Sequence, residues 1–446
     1  MIGQSGGFRC VNESAQLRAR RWLMLAVSAV AVSGFFAILI ALARVPAIGT
    51  LFPGAEFYRV ALVLHVNLSQ GVWFMAFASV LWSMASEHRS EALERASWGL
   101  AVAGTAGMIL AVSDGHVRPL MSNYLPVLDN QIFLVALSLF GLGVCLKAWL
   151  AVGAIAPATS RYRGFSPGNL LLRLSALETL AVFMLLAGAW LAIDGDRDWA
   201  YFESLFWGAG HLWQFALVSL LMYCWLALMP EAARRLPASA IKSLILLSVV
   251  PVVLGLFVPV ISSPGEAAHT IYYTWLMQWT SWQAPLALGL LLMLIERRDR
   301  WLPGFGLSLL LFVAGLGLGA LINGQTTLIT AHYHGTIGAI TLAFMALCFR
   351  LLPSLGMDAP SPFLVRLQLA FYGNGILLMM LGLAGAGLMG APRKTPGDLQ
   401  LTFSIETVSR IFLGLGGLCA TVGIIMFAWL LLRRLFSSAT EEAYSL

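Results

Sequence analysis

Long apolar stretches joined by short polar connections dominate the chain. About 20 consecutive apolar residues cross the hydrocarbon core of a bilayer as a helix. Windows of that kind recur twelve times, at roughly 22–44, 60–83, 97–114, 131–156, 170–193, 204–229, 241–262, 271–295, 305–323, 327–351, 364–390 and 411–434. The window at 97–114 is short. The one at 271–295 is polar for a span, with Gln278, Thr280, Ser281 and Gln283. The pattern predicts an all-α polytopic membrane protein of about 12 transmembrane helices. Residues 1–21 form a cytoplasmic N-terminal segment, 22–434 one helical domain and 435–446 a cytoplasmic tail. No low-complexity run or internal repeat interrupts it.

Composition agrees. The 446 residues are 59% hydrophobic and 11% charged, and the mean hydropathy is +0.83. A soluble domain has about a quarter of its residues charged. The pI of about 9.2 raises nucleic acid as a partner, and the placement of the charge argues against it. Arg18, Arg20 and Arg21 precede the first span. Arg161, Arg163 and Arg173, then Arg234, Arg235 and Lys242, then Arg297, Arg298 and Arg300, and finally Arg433 and Arg434 fall on every second connection. The opposite connections hold acids: Asp114, Asp194, Asp196, Asp198, Glu203 and Glu266. This is the positive-inside asymmetry of a membrane protein. It predicts a bacterial-type inner membrane protein with both termini cytoplasmic. The first span is too long for a signal peptide's apolar region, with "ALA" at 41–43 leaving cleavage as the minor alternative. Five scattered cysteines (Cys10, Cys145, Cys224, Cys348 and Cys419) offer neither a haem-attachment nor a paired-thiol motif.

Seven histidines carry the candidate chemistry. His88 falls in a charged connection and His116 in an outer one. His65, His211, His269, His332 and His334 all fall at the outer depth of the membrane, from four separate segments. One intramembrane histidine is most simply a hydrogen-bonded core residue. Five at one depth mark a functional site, because ionisable groups inside spans are costly. Helix residues advance about 100° each, so His332 and His334 in "TAHYHGTIGA" lie about 200° apart. One metal ion cannot take both from a regular helix; two cofactors, one on each side, can. Imidazole serves as an axial ligand of haem iron and also suits copper. Gly335 is expected to leave room for the edge of a macrocycle.

These residues resemble a known family. Twelve spans with this arrangement resemble the catalytic subunit I of the haem-copper oxidases and the related nitric oxide reductases. "TTLITAHYHGTIGAITLAF" resembles the family's H-x-H segment on its tenth helix. "YRVALVLHVNLSQGVWFMAF" is similar to the second helix, most of all in its nitric oxide reductase form. "LFWGAGHLWQF" resembles the sixth-helix motif, and "GLMGAPRKTPGD" is similar to the oxidase motif G-M-P-R-R followed by an acidic stretch. The resemblance runs from about 20 to 435 and implies haem sites between helices 2, 6, 7 and 10. It implies that His65 and His334 ligate a low-spin haem and His332 a high-spin haem. His211 and His269 would hold a second metal, copper or non-haem iron, and Arg393 and Lys394 would meet the haem propionates. It also implies other membrane subunits, an electron donor such as a cytochrome c or a copper protein, and O2 or NO as substrate.

The chain departs from the family at the second metal. An adjacent histidine pair is expected after the seventh span. "PGEAAHTIYY" supplies His269 and then Thr270. Two imidazoles need a further ligand, and Glu266 is the nearest candidate. Phe215 stands one turn after His211, where oxidases carry a tyrosine and nitric oxide reductases a glutamate, and Gln214 precedes it. Tyr223, Tyr272 and Tyr273 are the candidate substitutes. Glu178 is the most conspicuous carboxylate within a span and is expected to be either a proton-path residue or a structural buried acid. The expected function is a respiratory terminal oxidase, a haem-dependent oxidoreductase that passes electrons from the low-spin haem to the second centre to reduce O2. The alternatives are a nitric oxide reductase-like enzyme with non-haem iron, and a dihaem electron-transfer or gas-sensing protein.

Overall fold

The computed structural model describes residues 10–43, 54–87, 90–115, 117–155, 167–297, 302–393 and 403–444. His88, His116, Arg161, Arg163, Arg298, Arg300 and Lys394 lie outside the described residues. The helices run in the order α1 (Glu13–Leu42), α2 (Gly54–Val66), α3 (Trp73–Ala85), α4 (Glu91–Leu110), α5 (Gln131–Ala154), α6 (Pro167–Ala192), α7 (Trp199–Leu228), α8 (Pro230–Arg235), α9 (Ala238–Ile261), α10 (Ala267–Thr280), α11 (Gln283–Ile295), α12 (Phe305–Ala320), α13 (Thr327–Leu351), α14 (Pro362–Leu388) and α15 (Phe403–Tyr444). A π-helical turn, Asn67–Val72, joins α2 to α3. Between α4 and α5 the strands β1 (Arg118–Leu120) and β2 (Val127–Asp129) pair antiparallel.

Among the described residues ten helices are long and apolar enough to cross a membrane, which makes this a multi-pass membrane protein. The remaining two apolar windows are the short α12 and the polar window at 271–295, which is broken. Its two pieces, α10 and α11, part at Ser281–Trp282. Pro285 explains the position: in a continuous helix its ring would strike the carbonyl four residues back, that of Ser281. Local polar bonds, Thr280 Oγ1 to Leu276 O and Trp282 Nε1 to Gln278 O, take up carbonyls at the break.

The chain folds as two compact units. One takes in the described residues of 1–26, 66–298 and 354–356, the other those of 27–65, 299–353 and 357–446. In the first, α4 and α5 form a hairpin with almost no side chain between the backbones. A Cβ on Gly143 would stand 2.7 Å from Ser97 O and 2.8 Å from Ala101 N, and Ser97 Oγ donates to Gly143 O at 2.8 Å. Lipid tails give helices no hydrophobic drive to associate, so small residues and interhelical hydrogen bonds do that work. The second unit uses the same device. Gly382 of α14 meets the backbone of Ser409 and Leu413 on α15, and Gly416 of α15 meets that of Gly375 and Met379.

The α4–α5 hairpin ends in a buried charge cluster. Lys147 Nζ donates to both Glu94 oxygens, at 2.9 and 2.7 Å, and Arg18 Nε lies 3.8 Å from the same carboxylate. All three side chains are buried. Outside the spans, Cys10 donates to Ser354 O at 3.4 Å, and burial pushes its thiol up to about 11. This keeps it protonated.

The cluster holds two cations and one anion, so its members are unequal. Glu94→Gln leaves two buried cations facing each other without a counter-charge. Lys147→Met leaves the Arg18–Glu94 pair. Breaking a buried pair costs about 3–5 kcal/mol. Thermal unfolding in detergent should therefore show a clearly larger loss for Glu94→Gln than for Lys147→Met. Equal losses would mean that Arg18 does not contribute.

Candidate haem and metal site

The site is built on imidazole orientation. An imidazole nitrogen facing a carbonyl oxygen must donate, because the carbonyl has no hydrogen, and a neutral ring then keeps its other nitrogen unprotonated. His332 Nδ1 meets Gly315 O of α12 at 2.8 Å, and His334 Nδ1 meets Thr330 O, one turn back on α13, at 2.7 Å. His65 Nδ1 lies 3.0 Å from Ser33 O. His211 Nδ1 meets Trp207 O at 2.7 Å, and His269 Nδ1 meets Ser262 O at 3.1 Å. In all five rings the Nδ1 proton is committed to a backbone carbonyl, so Nε2 is the nitrogen with a lone pair. Metal-bound histidines hold their rings this way, and the five residues fit axial or metal ligation.

Local structure follows from this. His65 ends α2 where the helix widens into the π turn, and such turns recur at functional sites. The widening disturbs the ladder of backbone bonds, and Ser33 Oγ donates to His65 O at 3.1 Å. Ser33 thus holds both the ring and the carbonyl of His65. On α12, Gly319 makes room for the His332 ring: a Cβ there would lie 2.7 Å from His332 Nδ1. Gly335 does not play the role expected of it. A Cβ on Gly335 would lie 2.6 Å from Gly315 Cα and from Met380 Cε, so its small size serves helix packing and not a macrocycle edge.

His211 and His269 come together in the first unit, with Tyr273 against both. The Tyr273 ring centroid is 6.0 Å from that of His211 and 4.9 Å from that of His269. Its hydroxyl donates to Gly255 O at 2.8 Å, and its ring lies on Gly208. His269 is helical, in the first turn of α10, ahead of the apolar window at 271–295. Gly265, at φ +92°, makes the turn that starts this helix. Tyr124, from the β1–β2 hairpin, packs on Gly210 with its ring 4.8 Å from His211, and accepts a hydrogen bond from Gln214 Nε2 at 3.1 Å. The hairpin is anchored by Asn123, whose backbone N–H donates to Glu203 Oε2 at 2.7 Å while its Nδ2 donates to the other oxygen. Tyr124 and Ser33 were missed from sequence. "GAGH" carried a faint signal, since Gly208 and Gly210 are the two positions that admit the tyrosine rings.

The residues expected at a second metal fall short of a closed ligand set. Among the described residues no group of three or more His, Cys, Asp or Glu side chains is placed to hold a metal. Glu266 is exposed, three residues before His269 at the start of α10. Of the suggested substitutes for the missing tyrosine, Tyr272 is exposed and Tyr273 is the one against the histidines. Arg393 is tied to the start of α13, the helix of His332 and His334: its N–H donates to Gln325 O at 3.4 Å, and Thr327 N–H donates to Ala391 O at 2.8 Å. His65, His332 and His334 belong to one compact unit, and His211 and His269 to the other.

Comparisons with known proteins place the chain in a family context. The profile of the family described as Cytochrome C and Quinol oxidase polypeptide I matches residues 18–419. An uncharacterized protein of Aquifex aeolicus is 29% identical, over 75% of this chain and 84% of its own length. An uncharacterized protein of Rickettsia prowazekii is 24% identical, over 94% of this chain and 96% of its own. A heme-copper terminal oxidase dimer solved by cryo-EM shares the fold, with a TM-score of 0.68 at 15% identity, covering 96% of this chain and 84% of that one.

Gly319→Ala would drive a methyl group into the His332 ring. The optical and EPR signals of a His332-ligated haem should be lost or shifted, and those of a second haem retained. Gly317→Ala, where an added carbon meets nothing within 4 Å, is the control. Unchanged spectra in Gly319→Ala would remove His332 from the ligand set.

Proposed function

For a chain that belongs to the cytochrome c and quinol oxidase polypeptide I family, we propose a haem-dependent oxidoreductase of the terminal-oxidase kind, reducing O2 with electrons from a membrane-associated donor. The observation that carries this reading is the common orientation of the five imidazoles. His65 and His334 would hold a low-spin haem and His332 a high-spin haem. Haem iron, when bound, supplies one-electron chemistry and a place for a diatomic gas. The chain supplies the rest. Ser33, Thr330 and Gly315 fix the rings that would bind iron. Arg393, at the outer end of α13, would meet propionates with charge-assisted hydrogen bonds, as would Lys394. Tyr273 and Tyr124 wall the His211–His269 pair with aromatic rings.

The membrane is a bacterial-type inner membrane in this reading, with both termini cytoplasmic. Other membrane subunits and a donor such as a cytochrome c or a copper protein complete the path. A second reading rests on one observation, the two-imidazole donor set at His211 and His269. A metal there needs a further ligand, from water or from Glu266. Without one the protein transfers electrons between two haems, or senses a gas, and does not turn over. A carboxylate ligand would favour non-haem iron and NO as substrate.

A metal and haem census on purified protein decides among these. Two haems with copper support the oxidase, two haems with non-haem iron the nitric oxide reductase-like enzyme, and two haems alone the electron-transfer reading. No haem at all would overturn the proposal. Glu266→Gln should lower third-metal occupancy several-fold without altering either haem spectrum, if the carboxylate is a ligand. His65→Ala should abolish the low-spin optical and EPR signals and leave the other haem in place. Low-spin signals that survive it would overturn the bis-imidazole assignment.

A further inference from the structure

The geometry points to Glu178 as an internal proton-holding acid, hydrated by trapped water and exchanging with solvent past Ser219. It rests on the reading above only for the use made of the proton. Glu178 sits near the middle of α6, 11 residues after Pro167 and so about 17 Å along the axis. Its side chain is buried, and neither carboxyl oxygen has a hydrogen-bond partner. The Ser219 hydroxyl of α7 lies beside it, also buried and without a partner of ordinary geometry. One turn back on α6, Ser175 accepts from Trp82 Nε1 of α3, and Thr179 donates to Ser175 O.

No counter-charge faces the acid from the helices packed on α6. On α6 itself Arg173 is five residues away and about 140° round the helix. α3 has no charged residue. On α5, Lys147 is held by Glu94. On α7, Glu203 is bound to Asn123, and His211 is eight residues from Ser219, about 12 Å along the axis. On α9, Lys242 is exposed. An isolated carboxylate in an apolar interior is so costly that the group is carried as the neutral acid. Unpartnered buried polar atoms are commonly satisfied by internal water. Intramembrane acids of this kind mark proton routes.

Towards His211 the next turns are dry: Ala181, Leu185, Leu212 and Phe215 share one apolar cluster. Glu178 therefore stands at the edge of a barrier, holding one proton. In each exchange its O–H bond breaks as a trapped water on the Ser219 side accepts the proton, a new O–H bond forms with another proton from that water, and no electron moves.

Infrared spectroscopy of the purified full chain tests this without relying on turnover. The wild type should show the C=O stretch of a neutral carboxylic acid that is lost in Glu178→Gln. That band should move down within minutes of transfer to D2O, and Ser219→Ala should slow the move at least tenfold. If Glu178→Gln fails to fold, Glu178→Asp should shift the band in frequency. The proposal is overturned by the absence of any such band, by a band unmoved after hours in D2O, or by an exchange rate that Ser219→Ala leaves unchanged. A protein without haem would sink the functional reading, and the exchange result would still stand or fall alone.

Discussion

A buried neutral imidazole can offer a metal only the nitrogen that carries no proton, so something must fix which nitrogen that is. In a helical membrane protein the acceptors within reach are backbone carbonyls. His211 and His334 use the carbonyl one turn back on their own helices. His65, His269 and His332 reach other segments: Ser33 on α1, Ser262 at the end of α9, and Gly315 on α12. The last three couple ligand orientation to helix packing. A shift of α12 along α13 would release the His332 ring, and a shift of α1 would release that of His65. The close packing around these helices is thus a condition of the chemistry.

Glycine provides that closeness in two distinct ways. At Gly104, Gly143, Gly382 and Gly416 it brings backbone against backbone, which is what associates helices where lipid gives no hydrophobic drive. At Gly208, Gly210 and Gly319 it makes room for rings: Tyr273, Tyr124 and His332. Gly335, beside the two histidines, belongs to the first group. Its position in the motif pointed to the cofactor, and its neighbours point to α12. A glycine's place in sequence does not say which of these uses it has, because both need only a missing Cβ.

The spans and the cluster of candidate histidines were legible because each rests on a strong local signal. Twenty apolar residues can do little but cross a membrane, and an ionisable ring inside such a run is too costly to be incidental. The break between α10 and α11 was half visible, in the polar residues of 278–283 and in Pro285, although the window there was read as one span. What stayed hidden came from far along the chain. Tyr124 reaches His211 from a hairpin 87 residues earlier, on a connection that reads as solvent-exposed. Ser33 reaches His65 from an apolar span in which a serine carries no message of its own. The Glu94–Lys147 pair was equally invisible, since each residue reads as an ordinary cation or anion at a helix end until α4 and α5 are laid side by side.

His332 and His334 in one unit and His211 and His269 in the other differ in how much of a ligand set the chain itself completes. On α13, two imidazoles are each held by a backbone carbonyl, Gly315 O of α12 and Thr330 O of α13, and Arg393 is tied to the start of the same helix. Around His211 and His269 the chain gives two donors and then closes in with aromatic rings, with Tyr273 against both histidines and Tyr124 against His211. Rings supply shape and exclude water, but they do not complete a coordination sphere. A metal held there would keep open positions, which suits binding of a small diatomic ligand and makes the metal easy to lose. Lability and openness are two consequences of the same missing ligand, so a tighter second-metal site in this fold would also be a more crowded one.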